Sequence, residues 1–290
     1  MNNGLERIRQ GYQSLKPSEQ KAASYILNHP ERILDMAIAE LAKETSVSEA
    51  TIIRMCRSLY FKGYKDLKLS ISASINQLEQ SFYQYRDISP DASLPEIIQY
   101  VTENNIASIK STLAILHEEK IQEAIHELDK ARKIIVVGVG ASAIVAQDFE
   151  QKLKRIDRWC EVFTDSHSQL TAAVHLQPED TVFAISYSGE TKEIIDVINI
   201  AKRNQSKIIS LTKYSKNTVQ GLSDINLFAS AMEENIRSGA TASRIAQLCI
   251  IDILYTGLAS LKYKESVQYL EKTRKVIQNR FHKYGDVNHV

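Results

Sequence analysis

Cysteine is scarce in this 290-residue chain. Cys56, Cys160 and Cys249 stand far apart and form no C-x-x-C pair, which argues against a disulfide framework or a cysteine-built zinc site and fits a reducing compartment. The opening MNNGLERIRQ carries charges where a secretory signal needs an apolar core. No uncharged apolar run approaches the length of a membrane span. Internal repeats and low-complexity tracts are missing too, and the net charge is only +1. The expectation from these absences is a cytoplasmic protein with no membrane partner and no structural metal.

What is present suits a soluble globular protein. Hydrophobic residues make up 43% of the chain and charged residues 24%. At this length two domains are the better expectation, each with enough apolar material for its own core. Phosphate binding needs a local basic face rather than a basic whole, and one segment offers it. Residues 45–70 hold Arg54, Arg57, Lys62, Lys65 and Lys68 against only Glu49 and Asp66. Alone, such a stretch is also what an ordinary solvated helix face looks like.

The first 75 or so residues read as helical. Lys16-Pro17-Ser18 ends one helix and opens the next, with Ser18 expected as the cap, and His29-Pro30 stops it. Ile33, Leu34 and Met36 suggest a short third helix. Two further helices are expected over about 37–44 and 50–59, joined by Thr45 to Ser48, the length of a helix-turn-helix corner. Ile38, Leu41 and Ala42 form an apolar stripe on the first, and Ile52, Ile53 and Met55 on the second. Ser48 is the expected N-cap. Thr51, Arg54 and Arg57 follow at three-residue spacing, which is read as one outward face able to meet base edges, with Lys62 and Lys65 placed for backbone phosphates.

Residues 76–95, polar and broken by two prolines, read as a linker, and 96–131 as two helices. From 133 the pattern changes. KIIVV (133–137), CEVF (160–163), TVFAI (181–185), KIISL (207–211) and INLFA (225–229) are five short apolar runs, each separated by enough chain for a crossover helix. That spacing implies a parallel sheet covered by helices on both faces. The chain returns to helix from about 240.

Two strand ends carry the candidate chemistry. The first runs into G-V-G-A-S, Gly138 to Ser142, a glycine turn opening a helix. It lacks the third glycine of a dinucleotide fingerprint, and only Asp165 follows the second strand, so that reading is weak. The third strand ends in S-Y-S-G-E-T, where Ser186, Ser188 and Thr191 gather at a helix start in a nest suited to a phosphate monoester without a lysine or a metal. The same turn could be no more than a capped turn.

The string L-A-x-x-x-x-V-S-x-A-T-I-x-R-x-C-R-x-L-x-F-x-G-Y-x-D-L-K, over residues 41–68, resembles the N-terminal domain of RpiR-type transcriptional regulators. The glycine and hydroxyl turns resemble the sugar isomerase (SIS) domain over about residues 120–262, and I-R-S-G-A-T-A-S-R-I-A-Q-L, residues 236–248, is similar to the same regulators. The resemblance implies an α/β protein: an all-helical helix-turn-helix domain over 1–77, a linker and connecting helix over 78–119, a five-stranded, doubly wound, flavodoxin-like SIS domain over 120–262, and a C-terminal helix over 263–290.

It implies double-stranded operator DNA as one partner, met through Ser48, Thr51, Arg54, Arg57, Lys62 and Lys65. It implies a phosphorylated sugar as effector, with Ser142, Ser186, Ser188 and Thr191 on the phosphate, Gly189 and Glu190 contributing backbone, no cofactor, and a homodimer or homotetramer. Arg237 and Arg244 are implied near the ligand or the subunit interface; ion pairing within the fold is the equal alternative. Asp165 and His167 are further sugar-contact candidates. This chain carries Ser46 and Tyr60 where the family usually has glycine, and both positions are expected to take positive φ. The SIS fold also serves aldose–ketose isomerases, whose chemistry needs a base near neutral pKa. Glu190, Glu233, Glu234 and His167 are the candidates, and no spacing singles one out. A sensor rather than an enzyme is therefore expected, with an isomerase-like enzyme as the alternative.

Overall fold

The computed structural model describes residues 3–75, 91–231 and 240–285. Glu233, Glu234 and Arg237, and residues 76–90 of the expected 76–95 linker, lie outside them. Five strands, β1 (Ile134–Gly138), β2 (Cys160–Phe163), β3 (Thr181–Ile185), β4 (Lys207–Lys213) and β5 (Ile225–Ala229), form one sheet in the order β2-β1-β3-β4-β5. Every neighbouring pair is parallel. β4 runs two residues past the expected stretch because Thr212 and Lys213 still pair with Phe228 and Ala229.

The period of two sorts the side chains. Ile134, Val136, Phe183 and Ile185 join one core, while Ile135, Val137, Val182 and Ala184 join the other. The first core is covered by α8 (Glu118–Lys130), α9 (Ala141–Lys154) and α13 (Thr241–Leu261), with Phe149 meeting Phe183 edge-on at 5.5 Å. The second is covered by α10 (Ser166–Val174), α11 (Lys192–Arg203) and α12 (Thr218–Leu222). Strand order reverses direction between β1 and β3, which opens a crevice at their carboxyl ends, the place where such sheets bind ligands.

The N-terminal part is all helix: α1 (Gly4–Gly11), α2 (Pro17–Asn28), α3 (Pro30–Ile33), α4 (Ile38–Glu44), α5 (Glu49–Ser58) and α6 (Tyr64–Ile75) around Ile8, Ile26, Leu41, Ile52, Met55 and Leu67. Ser18 is not the cap of α2. Lys16 holds that position with Pro17 first in the helix, and the Glu19 carboxylate accepts from the Lys16 N–H at 3.2 Å. Proline at the first helical position forfeits only an N–H that had no partner, which shifts the start one residue earlier. The short third helix stops at Ile33, before Leu34 and Met36, and the Met36 carbonyl instead accepts from Tyr64 Oη at 3.1 Å.

Ser46 and Tyr60 both have positive φ, at 52° and 60°. Val47 N–H closes onto the Ala42 carbonyl at 3.0 Å, and Phe61 N–H onto Cys56 at 2.8 Å. These bonds end α4 and α5 with a left-handed residue, the geometry for which glycine is usually chosen.

Two further long helices flank α13. α7 (Leu94–Ile115) packs against α13 with Asn104, Ser108 and Thr112 buried, while Leu94, Ile98, Val101, Ile106 and Leu113 stay exposed. α14 (Tyr263–Gly285) follows α13. Among the described residues, α13 is the one helix long and apolar enough to cross a membrane by length and composition, although Arg244 and Asp252 interrupt it. Here its Ala246, Ile250, Ile251, Leu254 and Leu258 belong to the core against the sheet.

Candidate functional site

The crevice between β1 and β3 brings the two expected turns together. Gly138 pairs with Ile185 in the sheet, so the turns leave its edge side by side. Gly138 must lack a side chain, since a Cβ would sit 2.7 Å from the Ser142 carbonyl oxygen. That close approach tucks Ser142, nearly buried, into the first turn of α9 behind Gly140 at φ 60°.

On the β3 side the hydroxyls form a connected set. Ser186 Oγ is 2.8 Å from Thr191 Oγ1 and accepts from the Gly189 N–H at 3.2 Å. Ser188 Oγ accepts from the Glu190 N–H at 3.2 Å. Thr191 is the N-cap residue of α11, whose first N–H groups have no partner inside the helix. Ser186 is 2% exposed, whereas Ser188 and Thr191 are half-buried.

The Gly189 and Glu190 N–H groups, expected to contribute to ligand binding, bond within the turn here. At φ 69° Gly189 turns its N–H back onto the Ser186 carbonyl at 3.0 Å as well as onto Ser186 Oγ, and the Glu190 N–H is held by Ser188. Gly189 is required for a different reason: a Cβ there would lie 2.1 Å from the Asn217 side chain. The Glu190 carboxylate turns toward α12, accepting from the Thr218 N–H at 2.9 Å and from Thr218 Oγ1 at 2.6 Å. Those two bonds, the hydroxyl's first, hold its carboxyl below the ordinary range, helped by the charge of Lys213.

Asp165 caps α10, accepting from the Ser168 N–H at 2.9 Å, and His167 is exposed in the following turn. Arg244 is half-buried in the first turn of α13. Sequence reasoning missed Gln169. Fully buried, its amide nitrogen donates to the Gly138 carbonyl at 3.1 Å and to Phe163 at 2.7 Å, tying the ends of β1 and β2 together. Its amide oxygen is buried with no hydrogen-bond partner. The available signal was an uncharged polar residue four places past the Asp165 cap, on the inward face of α10. Asn217 and Thr218 were missed because their contacts lie across a strand crossover.

In the head, Ser48 caps α5 through its bond to the Thr51 N–H at 3.2 Å. Arg54, Arg57, Lys62 and Lys65 are exposed. Thr51 is not on their outward face: it is 5% exposed, and its Oγ1 lies 2.9 Å from Ser48 Oγ and accepts from Arg54 Nη2 at 2.9 Å. The reason is rotational. A three-residue step falls about 60° short of a full turn, so Thr51 and Arg57 end up about 120° apart. Arg54 Nε also lies 3.8 Å from the buried Glu19 carboxylate. Lys62 offers its N–H to Asp66 at 2.9 Å, leaving its side chain outward.

Residues 2–78 match the model of the helix-turn-helix domain of the rpiR family, and residues 127–257 match that of the SIS domain. The HTH-type transcriptional regulator TTE0211 of Caldanaerobacter subterraneus is 42% identical over 97% of this chain and 99% of its own. YbbH of Bacillus subtilis, also named an HTH-type transcriptional regulator, is 39% identical over 95% of this chain and 97% of its own. Among solved structures, Vibrio vulnificus NanR complexed with ManNAc-6P has a TM-score of 0.60 and 27% identity, covering 95% of this chain and 98% of that one.

Proposed function

The chain belongs to the rpiR family of helix-turn-helix transcriptional regulators and carries a SIS domain, and from that premise we propose that it senses a phosphorylated sugar and adjusts the expression of carbohydrate-metabolism genes. The observation that carries this reading is the crevice between β1 and β3, with Ser142 in the first turn of α9 and Ser186, Ser188 and Thr191 in the turn before α11 at neighbouring strand ends. A phosphate dianion is favoured there by the hydroxyls and the helix dipoles, without a resident cation. NanR, a relative of similar length, takes ManNAc-6P, which supports this chemical class of effector.

The head is the operator-binding unit, with Arg54 and Arg57 toward base edges, Ser48, Lys62 and Lys65 toward phosphates, and Thr51 orienting Arg54 from beneath. The division we propose is residues 1–77 for this head, 78–119 for the connecting segment, 120–262 for the effector domain and 263–290 for a closing helix. The protein acts in the cytoplasm as a homodimer or homotetramer, which the exposed apolar row on α7 supports.

The chain is not an isomerase in this reading. A proton-shuttling carboxylate needs a pKa raised toward neutrality, whereas Glu190 is pushed the other way and both its oxygens are engaged by Thr218. A thermal-shift screen of sugar 6-phosphates against NAD(H), followed by mobility shifts on the upstream DNA, tests the proposal. A ligand raises stability by RT ln(1 + [L]/Kd), so a saturating sugar phosphate is expected to raise Tm and NAD(H) to leave it unchanged. Stabilisation by NAD(H) alone would overturn the reading.

A further inference from the structure

The segment after β4 touches both halves of the molecule. Tyr214, 2% exposed, donates its hydroxyl hydrogen to the Leu59 carbonyl at 2.8 Å. The same hydroxyl accepts from Arg7 Nε at 3.0 Å, and Arg7 Nη2 reaches that same Leu59 carbonyl at 2.8 Å. Leu59 is the C-cap of α5, the helix that presents Arg54 and Arg57. Two positions on, Lys216 Nζ donates to Ser58 Oγ at 3.1 Å. Tyr60, next along α5's exit, packs its ring 5.1 Å from Tyr214 and 5.2 Å from Phe228.

The same segment grips the hydroxyl turn from the other side. The Lys213 N–H donates to the Tyr187 carbonyl at 2.9 Å, and the Val219 N–H to the Gly189 carbonyl at 2.9 Å. Asn217 fills the space that a side chain at Gly189 would take, and Thr218 holds Glu190 through two hydrogen bonds. Within residues 213–219, then, Tyr214 and Lys216 hold the end of α5, while Lys213, Asn217, Thr218 and Val219 hold the turn from Tyr187 to Glu190. No flexible spacer separates the two sets of contacts.

We propose that residues 213–219 are the relay by which effector occupancy reaches the DNA-reading helix within one chain, with the Tyr214 hydroxyl as its coupling group. The proposal rests on the reading of the Ser186–Thr191 turn as the phosphate site. A phosphate drawn into that turn must recruit N–H and hydroxyl groups that now bond within it, and any shift of Gly189 or Glu190 is passed to Asn217 and Thr218. Tyr214, a few residues back on the same backbone, then changes its hold on Leu59. A coupling of this kind exists only if the two arrangements differ in affinity for the effector, and it acts equally in both directions.

Tyr214→Phe removes the hydroxyl and keeps the ring, so the aromatic packing stays. Operator duplexes selected from a random pool with the full chain, and ManNAc-6P, glucosamine 6-phosphate, fructose 6-phosphate and inorganic phosphate as probes, supply the assay. In the variant, calorimetry is expected to show sugar-phosphate affinity within about twofold of wild type, while the effector-induced change in operator affinity, typically about 5- to 150-fold for such couplings, collapses toward one. Amide exchange of Leu59, Tyr60 and Phe61 in the ligand-free variant is expected to accelerate, with the α2 core unchanged. An undiminished effector response in Tyr214→Phe overturns the relay. Should the wild-type protein take none of the probes, the phosphosugar reading falls, and unaltered exchange at Leu59–Phe61 then overturns the relay on its own.

Discussion

Ser186 and Ser188 sit two residues apart in one turn, yet their replacement by alanine is expected to differ in its effect on stability. Ser188 is half-buried, and its Oγ accepts one N–H, that of Glu190, at 3.2 Å. Water can replace that acceptor, so Ser188→Ala leaves the fold within about 0.5 kcal/mol of wild type, as surface changes usually do. In the proposed phosphate site its hydroxyl hydrogen is the group offered to the ligand. A hydrogen bond to a charged partner contributes about 1.5–3 kcal/mol net, which at about 1.4 kcal/mol per decade is roughly a tenfold to hundredfold loss of sugar-phosphate affinity.

Ser186 is 2% exposed and holds both Thr191 Oγ1 at 2.8 Å and the Gly189 N–H. Removing it takes a hydrogen bond from Thr191 and one of the two acceptors of the Gly189 N–H, which keeps the Ser186 carbonyl, and is expected to cost about 0.5–1.5 kcal/mol of stability besides weakening the ligand. Calorimetry with the sugar phosphate that binds wild type, alongside urea unfolding, separates the two. Wild-type affinity in Ser188→Ala would refute the reasoning and reduce S-Y-S-G-E-T to a capped turn.

Three further outcomes are expected. Arg54→Ala should weaken specific operator binding by about 1–3 kcal/mol, whereas Lys62→Ala and Lys65→Ala should weaken all sequences alike and each lower the salt slope by about one; mobility shifts at several salt concentrations decide, and unchanged affinity removes Arg54 from base recognition. No sugar phosphate should be turned over in a coupled isomerase assay, and conversion of fructose 6-phosphate that disappears in Glu190→Gln would contradict the sensor assignment. Burial pushes the phenols of Tyr64 and Tyr214 up to about 12 and that of Tyr60 higher still. Their folded pKa values lie above the ordinary 10, so the stability they contribute is complete below pH 10 and is lost as pH rises toward 12. Ultraviolet titration should show these three lagging the rest of the 13 tyrosines, and a single midpoint near 10 in folded protein would contradict the burial.

The parallel sheet was legible because five apolar runs too short for helices, separated by crossover-length segments, fit buried parallel strands. CEVF, TVFAI and INLFA fall on β2, β3 and β5 to the residue. The hydroxyl turn was legible for a related reason, since Ser and Thr at a strand-to-helix junction have local work to do. What the turn's backbone does was not legible. The Gly189 N–H turns onto Ser186 at a positive φ, and the space that a side chain would need there is filled by Asn217, a residue brought in by the next strand crossover. Thr51 failed for want of arithmetic rather than information, because two three-residue steps already carry a helix position about a third of the way round. Gln169 had only its place on the inward face of α10, and Tyr214 had no local signature at all. Their hydrogen bonds reach Gly138 and Leu59, 31 and 155 residues away.

Tyr60 shows how a local departure can be a global fit. A Cβ residue at φ 60° costs on the order of 1 kcal/mol, and glycine would avoid it. Glycine would also remove a ring that packs 5.1 Å from Tyr214 and 5.2 Å from Phe228, contacts of a kind that contribute about 0.5–1.5 kcal/mol apiece beyond their buried area. The strain is therefore offset by the joint between head and sheet, and only by it: in an isolated head the same residue would be exposed and strained with nothing in return. A tyrosine there fits a chain whose two halves stay in contact, a contact that the Tyr214 hydroxyl shares through Arg7 and Leu59 while its ring packs against Tyr60.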